Sequence, residues 1–273
     1  MRATVSAIAL VSLVLTGCGA TTGGTRLTPE EESLAQDMQA RSLAPATADE
    51  RAAIRNQDLL TQSAFWAEAY QMNPADREAA LELATVLRQL GGAARAAEVA
   101  RQALALYPDD MALLTQYALA QTASGQGAQA VESFNRVLQS RPDDWRLYNA
   151  YGVALEQAGR SEQARALFMD ALALSPGEPA ILTNLAMSHM LGGDPEEAER
   201  LLRQAVDHDR AAPESRQNLA LALALQGRFA EAENIARSDL PEDMVAANME
   251  FVRDLMSSPR SWDRLREADL RGR

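Results

Sequence analysis

Trp145 to Glu178 reads WRLYNAYGVALEQAGRSEQARALFMDALALSPGE, and its landmarks return at a fixed step on both sides. Its Gly159 is one of five glycines, Gly91, Gly125, Gly159, Gly193 and Gly227, each 34 residues after the last. Ala96, Ala130, Ala164, Ala198 and Ala232 keep the same step, as do Pro74, Pro108, Pro142 and Pro176. A period of this length is the mark of stacked helix–turn–helix units. The glycine falls where one helix stops, in a conformation that L side chains resist. The proline cannot continue a helix and so closes the second one of the unit. Gly152 and Ala164 fall where the two antiparallel helices cross, and small side chains there permit close approach. Tyr151, Leu155, Phe168 and Leu172 supply bulk around the crossing.

In register, the units run 77–110, 111–144, 145–178, 179–212 and 213–246. Position 8 reads Ala84, Ala118, Gly152, Ala186 and Ala220; position 24 reads Ala100, Phe134, Phe168, Leu202 and Ala236. These residues resemble the tetratricopeptide repeat (TPR) family. The resemblance implies an all-α fold, a TPR α-solenoid in which antiparallel helix pairs wind as a right-handed superhelix with helical caps. There are departures: position 4 has no tryptophan, Arg210 stands where the fourth unit should have proline, and the fifth unit lacks a proper end. A degenerate first unit at about 43–76 keeps only its second half, Phe65, Trp66, Ala69 and Pro74, as expected of a terminal repeat.

The expected organisation is a lipoprotein signal peptide at 1–17, a lipidated flexible tether at 18–28, N-terminal helices with the degenerate repeat at 29–76, the array at 77–240, and a capping helix and tail at 241–273. Met1-Arg2 is a short basic start and Ala3 to Leu15 is apolar but too short to span a membrane. Leu15-Thr16-Gly17-Cys18 matches a lipobox, and Cys18 is the sole cysteine. It is expected to carry the lipid anchor, since a lone thiol makes no internal disulfide. Gly19 after the cysteine, instead of aspartate, points by the lipoprotein sorting rule to the outer membrane, with the array facing the periplasm. Gly19 to Arg26 is rich in glycine and threonine, which suits a tether. Thr28 and Pro29-Glu30-Glu31-Glu32 resemble a helix start, with Leu34 and Met38 on its apolar side. At the other end, Leu240-Pro241 opens a helix expected to present Met244, Val245, Phe251, Val252 and Leu255 on one broad face. Ser258-Pro259 breaks it, and Trp262 and Leu265 are expected to fold back.

Charge narrows the partners. The chain has a formal net charge of −12 and no lysine, so its 26 basic residues are all arginine. Such a balance disfavours nucleic acid and electrostatic adhesion to anionic lipid. No nucleophile–base pair, metal-ligand spacing or phosphate loop occurs, so no enzyme, cofactor, metal site or small-molecule substrate is expected. His189 at position 11 reads as a packing residue, and His208 as a favourable charge in the last turn of a helix. Asp109-Asp110 and Asp143-Asp144 read as turn and capping residues.

Protein partners are therefore expected, in a groove lined by the first helix of each unit. Position 5 gives a polar ladder, Thr115, Asn149, Thr183 and Gln217, flanked by Asn184 and Asn218 at position 6. Position 9 gives an apolar stripe beside it, Leu119, Val153, Met187 and Leu221. Amides and hydroxyls pair with a bound segment's backbone while the stripe takes its apolar side chains. The same residues also suit packing within a scaffold. Arg88 and Arg146 are the candidate groove cations, and an apolar or amphipathic segment fits better than an acidic tail.

Gln217-Asn218-Leu219-Ala220, Gln226-Gly227-Arg228-Phe229, Asp239-Leu240-Pro241, Ala246-Ala247-Asn248-Met249 and Trp262 resemble the TadD family, TPR lipoproteins of the tight-adherence (Flp) pilus assembly system. That resemblance implies a pilotin-like role: binding a pilus secretin, or another assembly component, and bringing it to the outer membrane. The alternative is a TPR lipoprotein adaptor that scaffolds peptidoglycan hydrolases or outer-membrane protein assembly.

Overall fold

A computed structural model describes residues 46–208 and 211–257. Cys18, the tether and the helix expected near Pro29 lie outside them, as do Trp262 and Leu265. Among the described residues there are thirteen α-helices and no strand. α1 (Ala48–Ile54) and α2 (Leu59–Met72) form the degenerate first unit, which keeps not only its second half, as expected, but also a shortened first helix. Five pairs follow: α3 (Arg77–Gln89) with α4 (Ala93–Leu106), α5 (Met111–Ala123) with α6 (Gly127–Ser140), and α7 (Trp145–Gln157) with α8 (Ser161–Leu174). The last two are α9 (Pro179–Leu191) with α10 (Pro195–Val206), and α11 (Pro213–Leu225) with α12 (Phe229–Ala236). α13 (Glu242–Ser257) ends the series. The architecture is an all-α TPR solenoid.

The turns explain the period. Gly159 has φ of 71°, its amide donates to Glu156 O at 2.9 Å, and the Arg160 amide donates to Leu155 O at 2.9 Å. This pair of bonds is the Schellman closure, which satisfies carbonyls a helix end would leave orphaned. The same two bonds recur at Gly91, Gly125, Gly193 and Gly227. Starts of first helices use two devices. Asp76, Asp110 and Asp144 cap α3, α5 and α7 through their carboxylates, as N-cap residues do. α9 and α11 lack a side-chain cap bond and begin instead on Pro179 and Pro213, whose missing N–H would be unpaired there anyway.

Packing follows the register. Ala96, Ala130, Ala164, Ala198 and Ala232 are all fully buried, as is Ala84 at position 8. Between them sit the fully buried rings of Phe134 and Phe168, with Tyr151 stacked on Phe134 at 5.4 Å. Each second helix lies between its own first helix and that of the next unit, and successive first helices also touch one another. The first helices thus make one continuous wall.

Two expectations need correction at the C-terminal end. α13 buries Val245, Met249, Val252 and Leu255, whereas Met244 and Phe251 are 48% and 60% exposed. α11 and α12 approach α13 from one side only, so the second apolar stripe of this helix meets no neighbour there among the described residues. His208 stands beyond the end of α10, not in its last turn.

Candidate functional site

The wall of first helices is the candidate partner surface, and its polar ladder is engaged between repeats. Asn184 on α9 donates from Nδ2 to Oδ1 of Asn149 on α7 at 3.0 Å. Thr183 and Ser215 share a hydroxyl hydrogen bond of 2.8 Å from α9 to α11. Thr115 is buried; its hydroxyl donates to Met111 O at 2.6 Å and accepts from Arg141 Nη2 at 2.7 Å. Gln217 donates to Asp239 Oδ2 at 3.1 Å, and Arg216 pairs with the same carboxylate at 2.6 Å. The Arg216 guanidinium, helped by Gln217, holds Asp239 below the usual carboxylate range. Asn218 makes no side-chain hydrogen bond among the described residues.

These bonds use only some of each group's capacity. An amide offers two donors and a carbonyl. Asn149 keeps its NH₂, Asn184 its carbonyl oxygen, and Asn218 both. Beside them Leu119, Val153, Met187 and Leu221 are half-buried, each resting on the main core with one side open. The structure therefore brings Asn149 with Asn184 and Thr183 with Ser215, and commits Thr115 and Gln217 to local partners. Open amide valences alongside half-exposed apolar side chains are what a bound peptide segment requires.

The two candidate cations are among the few arginines without an ion pair among the described residues. Most described arginines are ion-paired, whereas Arg88 and Arg146, like Arg95 and Arg160, make no salt bridge among the described residues. Arg88 donates to Gln116 Oε1 at 3.2 Å, and burial pushes it below the usual guanidinium range. Arg146 stacks on its neighbour Trp145, 4.5 Å from the ring centroid.

A second recess was not foreseen. A cavity of about 640 Å³ opens where α8 and α10 flank α9, with Leu172, Leu182, Leu185 and Leu201 among its lining and Met169 exposed beside them. His189 lines it, half-buried, with Nδ1 3.6 Å from Asp194 Oδ2, instead of lying in the core. The signal was in the sequence: Leu182 and His189 occupy positions 4 and 11, which larger side chains would fill. Among the described residues no group of three or more His, Cys, Asp or Glu could hold a metal ion. No described helix is long and apolar enough to cross a membrane.

Comparison with known proteins places this architecture. Two family models described as tetratricopeptide repeat match residues 62–110 and 117–179, and 155–204 and 189–244, together well over half of the chain. No curated protein matches it. Among solved structures, a thermophilic TPR protein of Thermus thermophilus is similar at 24% identity and a TM-score of 0.54, over 64% of this chain and 98% of that one. MamA from Desulfovibrio magneticus RS-1 is similar at 19% identity and a TM-score of 0.51, over 65% of this chain and 94% of that one. At such identities the likeness shows fold alone. The chain belongs to the tetratricopeptide repeat family.

Proposed function

We propose that this protein is a lipid-anchored scaffold of the outer membrane that captures an apolar or amphipathic segment of a protein partner and so addresses that partner to the membrane. The observation that carries the scaffold reading is the first-helix wall, where Asn149, Asn184 and Asn218 keep open hydrogen-bonding valences beside the half-buried Leu119, Val153, Met187 and Leu221. The anchor reading rests on Leu15-Thr16-Gly17-Cys18 and the short apolar stretch before it. Several acyl chains on one residue give stable membrane attachment where a single chain does not. The partner reading rests on the resemblance of 217–249 and Trp262 to TadD: a pilotin-like factor for the secretin of the tight-adherence pilus. Function here requires no chemistry, only binding and an address.

Deletion of the gene, followed by membrane fractionation, tests the partner. Secretin multimers should fall or mislocalise and pili should be lost; normal multimers and pili would refute the pilotin role. Cys18→Ser should leave a folded array free in the periplasm, and its persistence in the outer membrane would refute the anchor. Asn149→Ala combined with Met187→Glu should weaken capture of the partner at unchanged helicity. Undiminished capture would return the ladder to scaffolding.

A further inference from the structure

The first helix of the array is attached unlike any other. Every other described helix buries at least two residues, whereas α1 buries none. Seven residues are too few for an isolated helix to persist in water. A capping box closes its N-terminus: the Glu50 amide donates to Thr47 Oγ1 at 3.3 Å, and Glu50 Oε2 accepts from the Thr47 amide at 2.8 Å. Beyond half-buried Ile54, which rests on the cluster around Trp66, its hold on the rest of the array is ionic. Arg51 pairs with Asp76 and, at 2.8 Å, with Glu78; Arg55, one turn on, pairs with Glu78 and, at 3.0 Å, with Glu82.

Glu78 and Glu82 lie on α3, the first complete rung of the first-helix wall, so the charged side chains of α1 reach that wall directly. The same guanidiniums sit over the indole of Trp66, at 5.7 and 5.8 Å from its centroid. Trp66 is fully buried, yet its Nε1–H meets no acceptor among the described residues. A buried donor without a partner favours any state in which water reaches it. Arg55 and Glu78 are 45% and 38% exposed on their side chains, so the pairs between them are open to screening by salt.

We propose that α1 is a salt-releasable clasp over the first rung of the wall: Arg51 and Arg55 hold it on Asp76, Glu78 and Glu82, and its release uncovers those carboxylates and the Trp66 indole. The clasp rests on the partner-surface reading only for the use of what it uncovers; the opening itself is a property of the array. A partner that engages this end must displace α1 or wait for it to open.

Amide hydrogen exchange on the full chain tests it. From about 0.1 M to about 1 M NaCl the screening length falls from about 10 Å to about 3 Å. Over that range protection at Arg51 to Ile54 should fall about tenfold, with α5 to α10 unchanged. Arg51→Gln with Arg55→Gln should abolish that protection already at low salt and increase acrylamide quenching of Trp66, with Trp145 and Trp262 replaced by Phe. Glu78→Gln with Glu82→Gln should do the same from the other side, which guards against a misfolded first pair. Salt-independent protection at 51–54, absent protection at low salt in the unaltered chain, or equal loss across the whole array would each overturn the clasp. None of these readings depends on whether a partner binds.

Discussion

At Gly152 an added Cβ would run into Cε1 of Phe168, a ring that is fully buried. At Gly193 the same atom would meet nothing within 4 Å, but φ is +85°. Alanine is therefore excluded by packing at one position and by backbone conformation at the other. Gly152→Ala should cost about 1–3 kcal/mol in urea unfolding, and Gly193→Ala about 1–2 kcal/mol. The two causes separate in combination. Phe168→Leu should relieve some of the cost at Gly152 and none at Gly193, while Gly193→Asn should be milder than Gly193→Ala. Equal coupling of Phe168→Leu to both glycines would contradict this. Asp76 offers a second residue-level test. Its hydrogen bond to Arg51, with the Ala79 amide, holds its carboxyl below the usual range. A depressed carboxyl stabilises the fold fully above about pH 4 and loses that effect as pH falls further. Asp76→Asn should thus be less stable than the unaltered chain near neutrality, with the gap closing as the solution is acidified below about pH 4. A gap that stays constant with pH would remove Asp76 from the account.

Among the elements, α13 has the most to show about what sequence can tell. Its helical period was legible, but which of its two apolar stripes meets the array was not. Val245, Met249 and Val252 are buried, while Met244 and Phe251 face outward because no further unit follows on that side among the described residues. Met249→Ala should cost about 2–4 kcal/mol, whereas Phe251→Ser should be nearly neutral in the same thermal unfolding assay. The reverse order would mean that the outward stripe is the covered one. The paired helices themselves could be read throughout, because Gly159 and its equivalents each close a helix by the same two backbone bonds. Contacts between units could not. Asn149 meets Asn184 only because neighbouring first helices touch, and Arg55 meets Glu82 across 27 residues of chain. Periodicity tells where each helix lies, while ion pairs and amide bonds between units depend on how the units are set against one another.

Across the whole molecule, a stack in which each unit contacts only its neighbours should transmit damage according to position. Leu155→Ala, at a buried site in α7, should lower hydrogen-exchange protection on both sides of the third unit. Met249→Ala should loosen α11 to α13 and leave α5 to α8 untouched. If both substitutions lowered protection uniformly along the chain, the array would be unfolding as one block and not as linked units. Toward the C-terminal end of the stack the carboxylates are tied: Glu199, Glu231, Glu233 and Glu242 pair with Arg203, Arg228, Arg237 and Arg253, while Arg88 and Arg146 on the first helices make no salt bridge among the described residues. The clasp at α1 has one more consequence, a mechanical one. Among the described residues, a pull applied at residue 46 loads α1 before any helix that buries side chains. Guanidinium–carboxylate pairs break singly and re-form when tension drops. Seven residues passing from helix to extended chain would lengthen the chain ahead of α2 by about 13 Å. The least well-buried helix would then act as a shock absorber, yielding reversibly so that the repeats behind it keep their register under load.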